Sequence, residues 1–187
     1  MLNYNLPLKE KKIYPGLTVE EISPILKLNL RGKSRNFLTT IGKNINMILP
    51  IEANTSSVSD NFTSLWLSPD EWMIVSNNTV NKDDNNYEIE EILFKKISKT
   101  KLGAVTNVSD QLVMLTLKGD RIFDLLSTGC PFNFNDFKSK KGSVTQTILL
   151  QIDVTIHLKE INTVNLFVRR SFSEHLMSWI DDTASRL

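Results

Sequence analysis

Two stretches of this chain carry the same short pattern, and that echo constrains the fold more than any other feature. Leu26, Leu28 and Leu30 alternate with polar residues and end at Gly32, while Val113, Leu115 and Leu117 alternate likewise and end at Gly119. Alternation at a period of two marks a strand with one buried face. A helical pattern follows each of these glycines, and a second glycine, Gly42 or Gly129, stands ten positions after the first. Glycine in that place predicts a helix end. Further on, Glu71 to Ser76 and Val164 to Ser171 each read as an apolar strand leading into a helix. Both halves run strand, helix, loop, strands, helix. The expected class is α+β, with duplicated strand-helix-strand-strand-helix units sharing one sheet or core.

Local signals place the other elements. In LWLSPDEWMIVS, Leu65 to Ser76, tryptophans flank the polar group Ser68-Pro69-Asp70-Glu71. Those four residues have capping-box spacing, with Pro69 at a first helical position, but the run Trp72, Ile74, Val75 favours a strand, and the segment reads as a hairpin. Ser34 to Ile41 predicts a short helical turn closed by Gly42, and 52 to 63 a loop. Tyr87, Ile89, Ile92, Leu93 and Ile97 recur at helical spacing and predict a helix over about 86–99. Strands are expected at 104–108, 112–118, 145–152, 154–160 and 164–170. A final helix over about 171–183 would be capped by Ser171, with Glu174 three residues on. Pro7, Pro15-Gly16 and Pro24 punctuate a polar start, so residues 1–24 are expected as an extended arm. The single duplicated domain is then expected at 25–187, its halves at about 25–100 and 104–187, with a mobile Asn/Asp/Lys-rich insertion at 76–86.

Charge excludes some partners. The 22 basic and 21 acidic residues nearly cancel, so no net field draws the chain to nucleic acid or an acidic membrane. Lys138, Lys140 and Lys141 cluster in an expected loop and read as solvated. Cys130 is the single cysteine, which rules out an internal disulfide and suits a reducing cytoplasm. The start, MLNYNLPLKEKK, lacks a basic-then-apolar signal pattern, and no apolar run approaches the roughly 18 residues that span a bilayer. A cytoplasmic chain without membrane contact is expected.

Reactive groups are sparse. His157 lies in an expected strand, His175 in the last helix, and the sequence leaves a pairing of either with Cys130 open. Cys130 follows Gly129 and precedes Pro131, which reads as a small packed residue at a helix end. The histidines and the cysteine lack metal-ligand spacing, and the seven glycines form no phosphate cradle. Asp70-Glu71 and Asp181-Asp182 are adjacent carboxylates, and neighbours point apart where paired acid/base work needs convergence. No catalytic, cofactor-binding or metal residues are expected. The features left over suit an interface. Arg169-Arg170 ends an apolar strand, and arginine serves desolvated ion pairs. Trp66, Trp72 and Trp179 suit both cores and contact anchors, with at least one expected at a contact surface. Trp66, Trp72, Arg169 and Arg170 are therefore the candidate subunit-contact residues.

Four segments in order, LWLSPDEWMIV (65–75), VTNVSDQLVMLTLKGDRIFDLLSTGCPFNF (105–134), TQT (145–147) and LFVRRSFSEHLMSWIDDTA (166–184), resemble the gamma subunit of heterotetrameric sarcosine oxidase. The resemblance runs from about Leu26 to Ala184. It implies a fold like the folate-binding domain of aminomethyltransferases, and a non-catalytic subunit beside alpha, beta and delta partners. FAD, FMN, NAD, tetrahydrofolate and zinc would then lie elsewhere in the complex, with none in this chain. The implied reaction is oxidative demethylation of sarcosine to glycine, with hydrogen peroxide formed and the one-carbon unit passed to tetrahydrofolate. Similar chains serve related secondary-amine oxidases and N-methylglutamate dehydrogenase, so the amine is left open. A different class, a free-standing folate-binding or one-carbon-transfer protein, would need a pocket between the halves, with a carboxylate for the pterin and Arg169 or Arg170 for the glutamate.

Overall fold

The computed structural model describes residues 11–22, 25–78 and 86–187. The elements along the chain are β1 (Lys12–Tyr14), β2 (Leu17–Glu21), β3 (Lys27–Arg31), α1 (Arg35–Ile45), β4 (Ser56–Val58), β5 (Phe62–Ser68), β6 (Glu71–Ser76), α2 (Asn86–Leu93) and β7 (Ala104–Asn107). There follow β8 (Leu112–Lys118), α3 (Ile122–Gly129), β9 (Val144–Leu149), β10 (Ile152–Glu160), β11 (Thr163–Arg169) and α4 (Ser173–Ala184). The chain divides into two compact units, one within 23–110 and one combining the residues up to Ile22 with Gln111–Leu187. Each unit has its own sheet and its own apolar cluster, where a shared sheet or core was expected.

In the first unit the sheet order is β4-β5-β6-β3-β7, all antiparallel. Leu28 and Leu30 of β3 stand opposite Ile74 and Trp72 of β6. That row packs on Phe37, Ile41 and Ile45, which recur every four residues along α1 and so share one face. The Ser34 hydroxyl caps α1 by accepting from the Phe37 N–H at 3.1 Å. The helix runs through Gly42, where an end was expected, and stops at Asn46, which takes the left-handed conformation (φ 50°) that asparagine tolerates. α2 continues into a π-helical turn, Phe94–Ser98, and the pair covers the segment expected as one helix. Within the expected loop 52–63, Ser56–Val58 pairs with β5 as a short edge strand.

The second unit reads β1-β2-β8-β11-β10-β9 across its sheet. Val19, Leu117 and Val164 lie in one row and Leu115 and Leu166 in the next, turned toward the apolar sides of α3 (Ile122, Leu125, Leu126) and α4 (Leu176, Met177, Ile180). Leu150 and Gln151, at φ 53° and 65°, make the two-residue turn between β9 and β10, which matches the right-handed twist of the strands. α4 begins after a 3₁₀ turn at Arg170–Phe172. Ser171 does not cap it: the N-cap position is Phe172, and the nearby hydroxyl of Ser173 donates to the Arg170 carbonyl at 2.7 Å.

The duplication is visible in these orders. Counted from the far edge, β9-β10-β11-β8-β2 repeats β4-β5-β6-β3-β7, with α3 in the place of α1 and α4 in the place of α2. The strand beside β3 comes from the end of its own unit, whereas the strand beside β8 comes from the chain's beginning. The expected arm is thereby corrected over Lys12–Glu21, which pairs into the sheet, with Val19 opposite Leu117 and buried. β7 likewise belongs to the first unit, which extends that half past the expected boundary. The remainder of the expected arm at 1–10 and 23–24, and most of the expected insertion at 79–85, lie outside the described residues. Gly119, at φ 137°, ends β8 where a Cβ would come within 2.1 Å of the Gly16 carbonyl oxygen, so only glycine fits against the β1–β2 turn.

Candidate subunit interface

Trp66 and Trp72 stand directly opposite each other on β5 and β6, either side of the Pro69-Asp70 turn. Ser68 donates to Asp70 Oδ1 at 2.8 Å. That bond, with Lys33 and Arg31 nearby, holds the Asp70 carboxyl below the usual range. Trp66 is half-buried and lies against the apolar cluster. Trp72, expected at a contact surface, is only 3% exposed, with its ring 6.0 Å from that of Phe37. Its indole N–H donates to the Pro50 carbonyl at 2.7 Å, which satisfies the one polar atom such a ring buries. It is a core residue. Alternation does not single it out, because Trp72, Met73, Ile74, Val75 and Ser76 are all buried and β6 shows no exposed phase after Glu71.

The arginines lie in the second unit. Arg169 closes β11 and is exposed, and Arg170 begins the following 3₁₀ turn, half-buried, with its N–H bonded to the Gln111 carbonyl at 2.9 Å. Trp179 sits half-buried against the cluster beneath α4.

The carboxylate neighbours are engaged with separate partners. Glu71 accepts from Asn29 at 2.7 Å and pairs with Arg31 at 3.1 Å. Asp181 accepts from the Tyr14 hydroxyl and pairs with Lys12 at 2.6 Å, while Asp182 pairs with Arg186. Burial by itself would raise the Asp181 pKa, but the bonds from Lys12 and Tyr14 and the Lys12 charge hold it low. Burial and the same carboxylate push the Tyr14 phenol upward. These groups tie the β1–β2 hairpin to α4.

Cys130 is buried, its sulfur 3.6 Å from the Thr147 hydroxyl. His175 is exposed on α4. His157 is 2% exposed, and burial, aided by the Lys159 charge, lowers its pKa to about 4. It is therefore neutral at ordinary pH. His157, Asn165 and Thr116 form a polar row across β10, β11 and β8, with the Thr116 hydroxyl donating to Asn165 Oδ1 at 3.0 Å. All three are buried, and none was singled out as a group from sequence. Their signal is phase: each sits between two apolar residues of a strand, on the sheet face opposite to theirs. Among the described residues no three or more His, Cys, Asp or Glu side chains are grouped to hold a metal ion. Nor is any helix among them long and apolar enough to cross a membrane.

The sequence model of the sarcosine oxidase, gamma subunit family matches residues 32–186, most of the chain. The chain belongs to that family. Among solved structures, this gamma-family chain is similar to a chain of the heterotetrameric sarcosine oxidase from Corynebacterium sp. U-96 in complex with pyrrole 2-carboxylate. The TM-score is 0.79 at 20% identity, covering 91% of this chain and 84% of that one. It is also similar to the glycine cleavage system aminomethyltransferase T from Bartonella henselae, with a TM-score of 0.66, 16% identity and 92% of this chain covered. It spans half the length of that aminomethyltransferase. At these identities the likeness is one of fold: repeated strand-helix-strand units in the arrangement of the aminomethyltransferase folate-binding domain. Comparison with curated protein sequences returns no match.

Proposed function

We propose that this chain is the non-catalytic gamma subunit of a heterotetrameric sarcosine oxidase and acts by packing against alpha, beta and delta partners. The complex would demethylate sarcosine oxidatively to glycine, form hydrogen peroxide and pass the one-carbon unit to tetrahydrofolate, with FAD, FMN, NAD and zinc held by the other subunits. The family match over residues 32–186 carries the reading. The engagement of Asp70, Glu71, Asp181 and Cys130 in local contacts that hold the fold supports it. Trp66, Arg169 and Arg170 are assigned to the subunit contacts, with Trp72 bracing Trp66 from the core. The compartment is the cytoplasm.

Co-expression tests this. The chain purified alone is expected to lack flavin absorbance and sarcosine turnover, and to co-purify in fixed stoichiometry when made with the three partners. Assays of the complex on sarcosine and on N-methylglutamate decide the amine. A chain that ignores those partners, or one that turns over sarcosine by itself and loses this on a single substitution, ends the proposal. Micromolar binding of tetrahydrofolate to the isolated chain, roughly −8 kcal/mol, would favour a folate-handling protein instead.

A further inference from the structure

We propose that the groove between the end of α1 and the segment Met47–Ile51 receives an apolar segment of another subunit of the complex, one that carries a carboxylate for Lys43. This rests on the reading of the chain as an oxidase subunit and assigns it a docking surface.

The segment Met47-Ile48-Leu49-Pro50-Ile51 follows α1 and is apolar throughout. Met47 and Leu49 are buried, at 8% and 4%, but Ile48 and Ile51 are 86% and 83% exposed. Three hydrogen bonds hold the main chain in that orientation. The Met47 N–H donates to the Gly42 carbonyl at 3.1 Å, the Ser57 hydroxyl to the Ile48 carbonyl at 2.7 Å, and the Trp72 indole to the Pro50 carbonyl at 2.7 Å. The isoleucines cannot turn inward unless these bonds break and Met47 and Leu49 leave the core. Two branched side chains are thus displayed in water on a rigid backbone, which limits the ordering cost of association.

Beside them lies a groove of about 570 Å³, walled by Leu38, Met47, Leu49 and the two isoleucines. That volume is in the range of sites that seat a few side chains. Charge defines the occupant. Among the described residues Lys43 is the one charged side chain lining the groove, and it makes no salt bridge with any of them. α1 also contains no acidic residue, and its other cation, Arg35, is exposed. An apolar segment flanked by a carboxylate complements this surface, whereas a basic segment would be repelled.

The test uses the full chain and the purified subcomplex of its partner subunits, with affinity read by calorimetry. Ile48→Ser with Ile51→Ser is expected to weaken association about a hundredfold, and Lys43→Glu about tenfold, with the salt dependence reduced. The double isoleucine variant should keep the wild-type melting temperature, since the replaced side chains lie in solvent, and Lys43→Glu should lower it by only about 1–4 °C, the effect of an acidic group in the last turn of α1. Ile13→Ser, a change at another exposed isoleucine (75%) in the other unit, should leave affinity unaltered. Wild-type affinity in the folded double variant overturns the docking site and leaves the subunit reading intact. Failure of the unaltered chain to bind the subcomplex overturns the subunit reading and the docking site with it. Loss of self-association in sedimentation, with subunit binding retained, makes a second copy the occupant and overturns the proposal.

Discussion

The indole N–H of Trp72 donates to the carbonyl oxygen of Pro50, joining the start of β6 to the segment after α1. Trp72→Phe keeps most of the ring's apolar area but strands a buried carbonyl. The expected cost is about 1–3 kcal/mol in denaturant unfolding. Faster amide exchange at Ile48, Leu49 and Ile51 should accompany it, and an unchanged exchange pattern would show that the bond does not hold the segment.

Gly119 is a second fixed point. A methyl group there would meet the Gly16 carbonyl oxygen at 2.1 Å, in a backbone conformation that other residues rarely adopt. Gly119→Ala should therefore destabilise the second unit by about 3 kcal/mol, seen as a lowered unfolding midpoint. A loss below about half a kcal/mol would mean that the β1–β2 turn can withdraw from β8 freely.

His157 links stability to pH. Its folded pKa of about 4 lies below the unfolded value of 6.5, so the folded state excludes a proton that the unfolded chain binds. Stability from this group is complete above about pH 6.5 and is lost as pH falls toward 4, by up to about 3 kcal/mol. His157→Gln should flatten that slope in a series of urea titrations from pH 7 to pH 4. A slope identical to that of the unsubstituted chain would assign the acid sensitivity elsewhere.

The Lys12–Asp181–Tyr14 contact should act at lower pH. Its carboxyl is held below the ordinary range, so its contribution is present above the unfolded carboxyl pKa and fades as acid protonates the folded form. Tyr14→Phe is expected to cost about 1 kcal/mol at neutral pH. Its effect should vanish in an Asp181→Asn background, and additive losses in a double-mutant cycle would show the two residues to be independent.

Much of this was legible in the chain. The β3 and β8 patterns, the hairpin around Pro69-Asp70 and the two amphipathic helices that follow the strands depend on local periodicity and turn chemistry, and they stand where the pattern places them, except that α1 continues past Gly42 to Ile45. The candidate contact residues were less so. Trp72 looks the same in sequence whether its ring meets Phe37 or a partner, and only packing places it inside. Ile48 and Ile51 lie in an apolar run that carries no local mark of which side chains face out, while hydrogen bonds from Ser57 and Trp72, both remote in sequence, turn them outward.

By itself the sequence determined the repeated strand, glycine and helix, because alternation, capping and the demand for glycine act over a few residues. The tertiary structure alone decided that Leu17–Glu21 lies beside β8, in the place β7 occupies in the first unit. Strand pairing across almost a hundred positions leaves no local mark: any edge strand of suitable phase can supply the missing hydrogen bonds. Which one does so depends on where the folded sheet leaves its edge open.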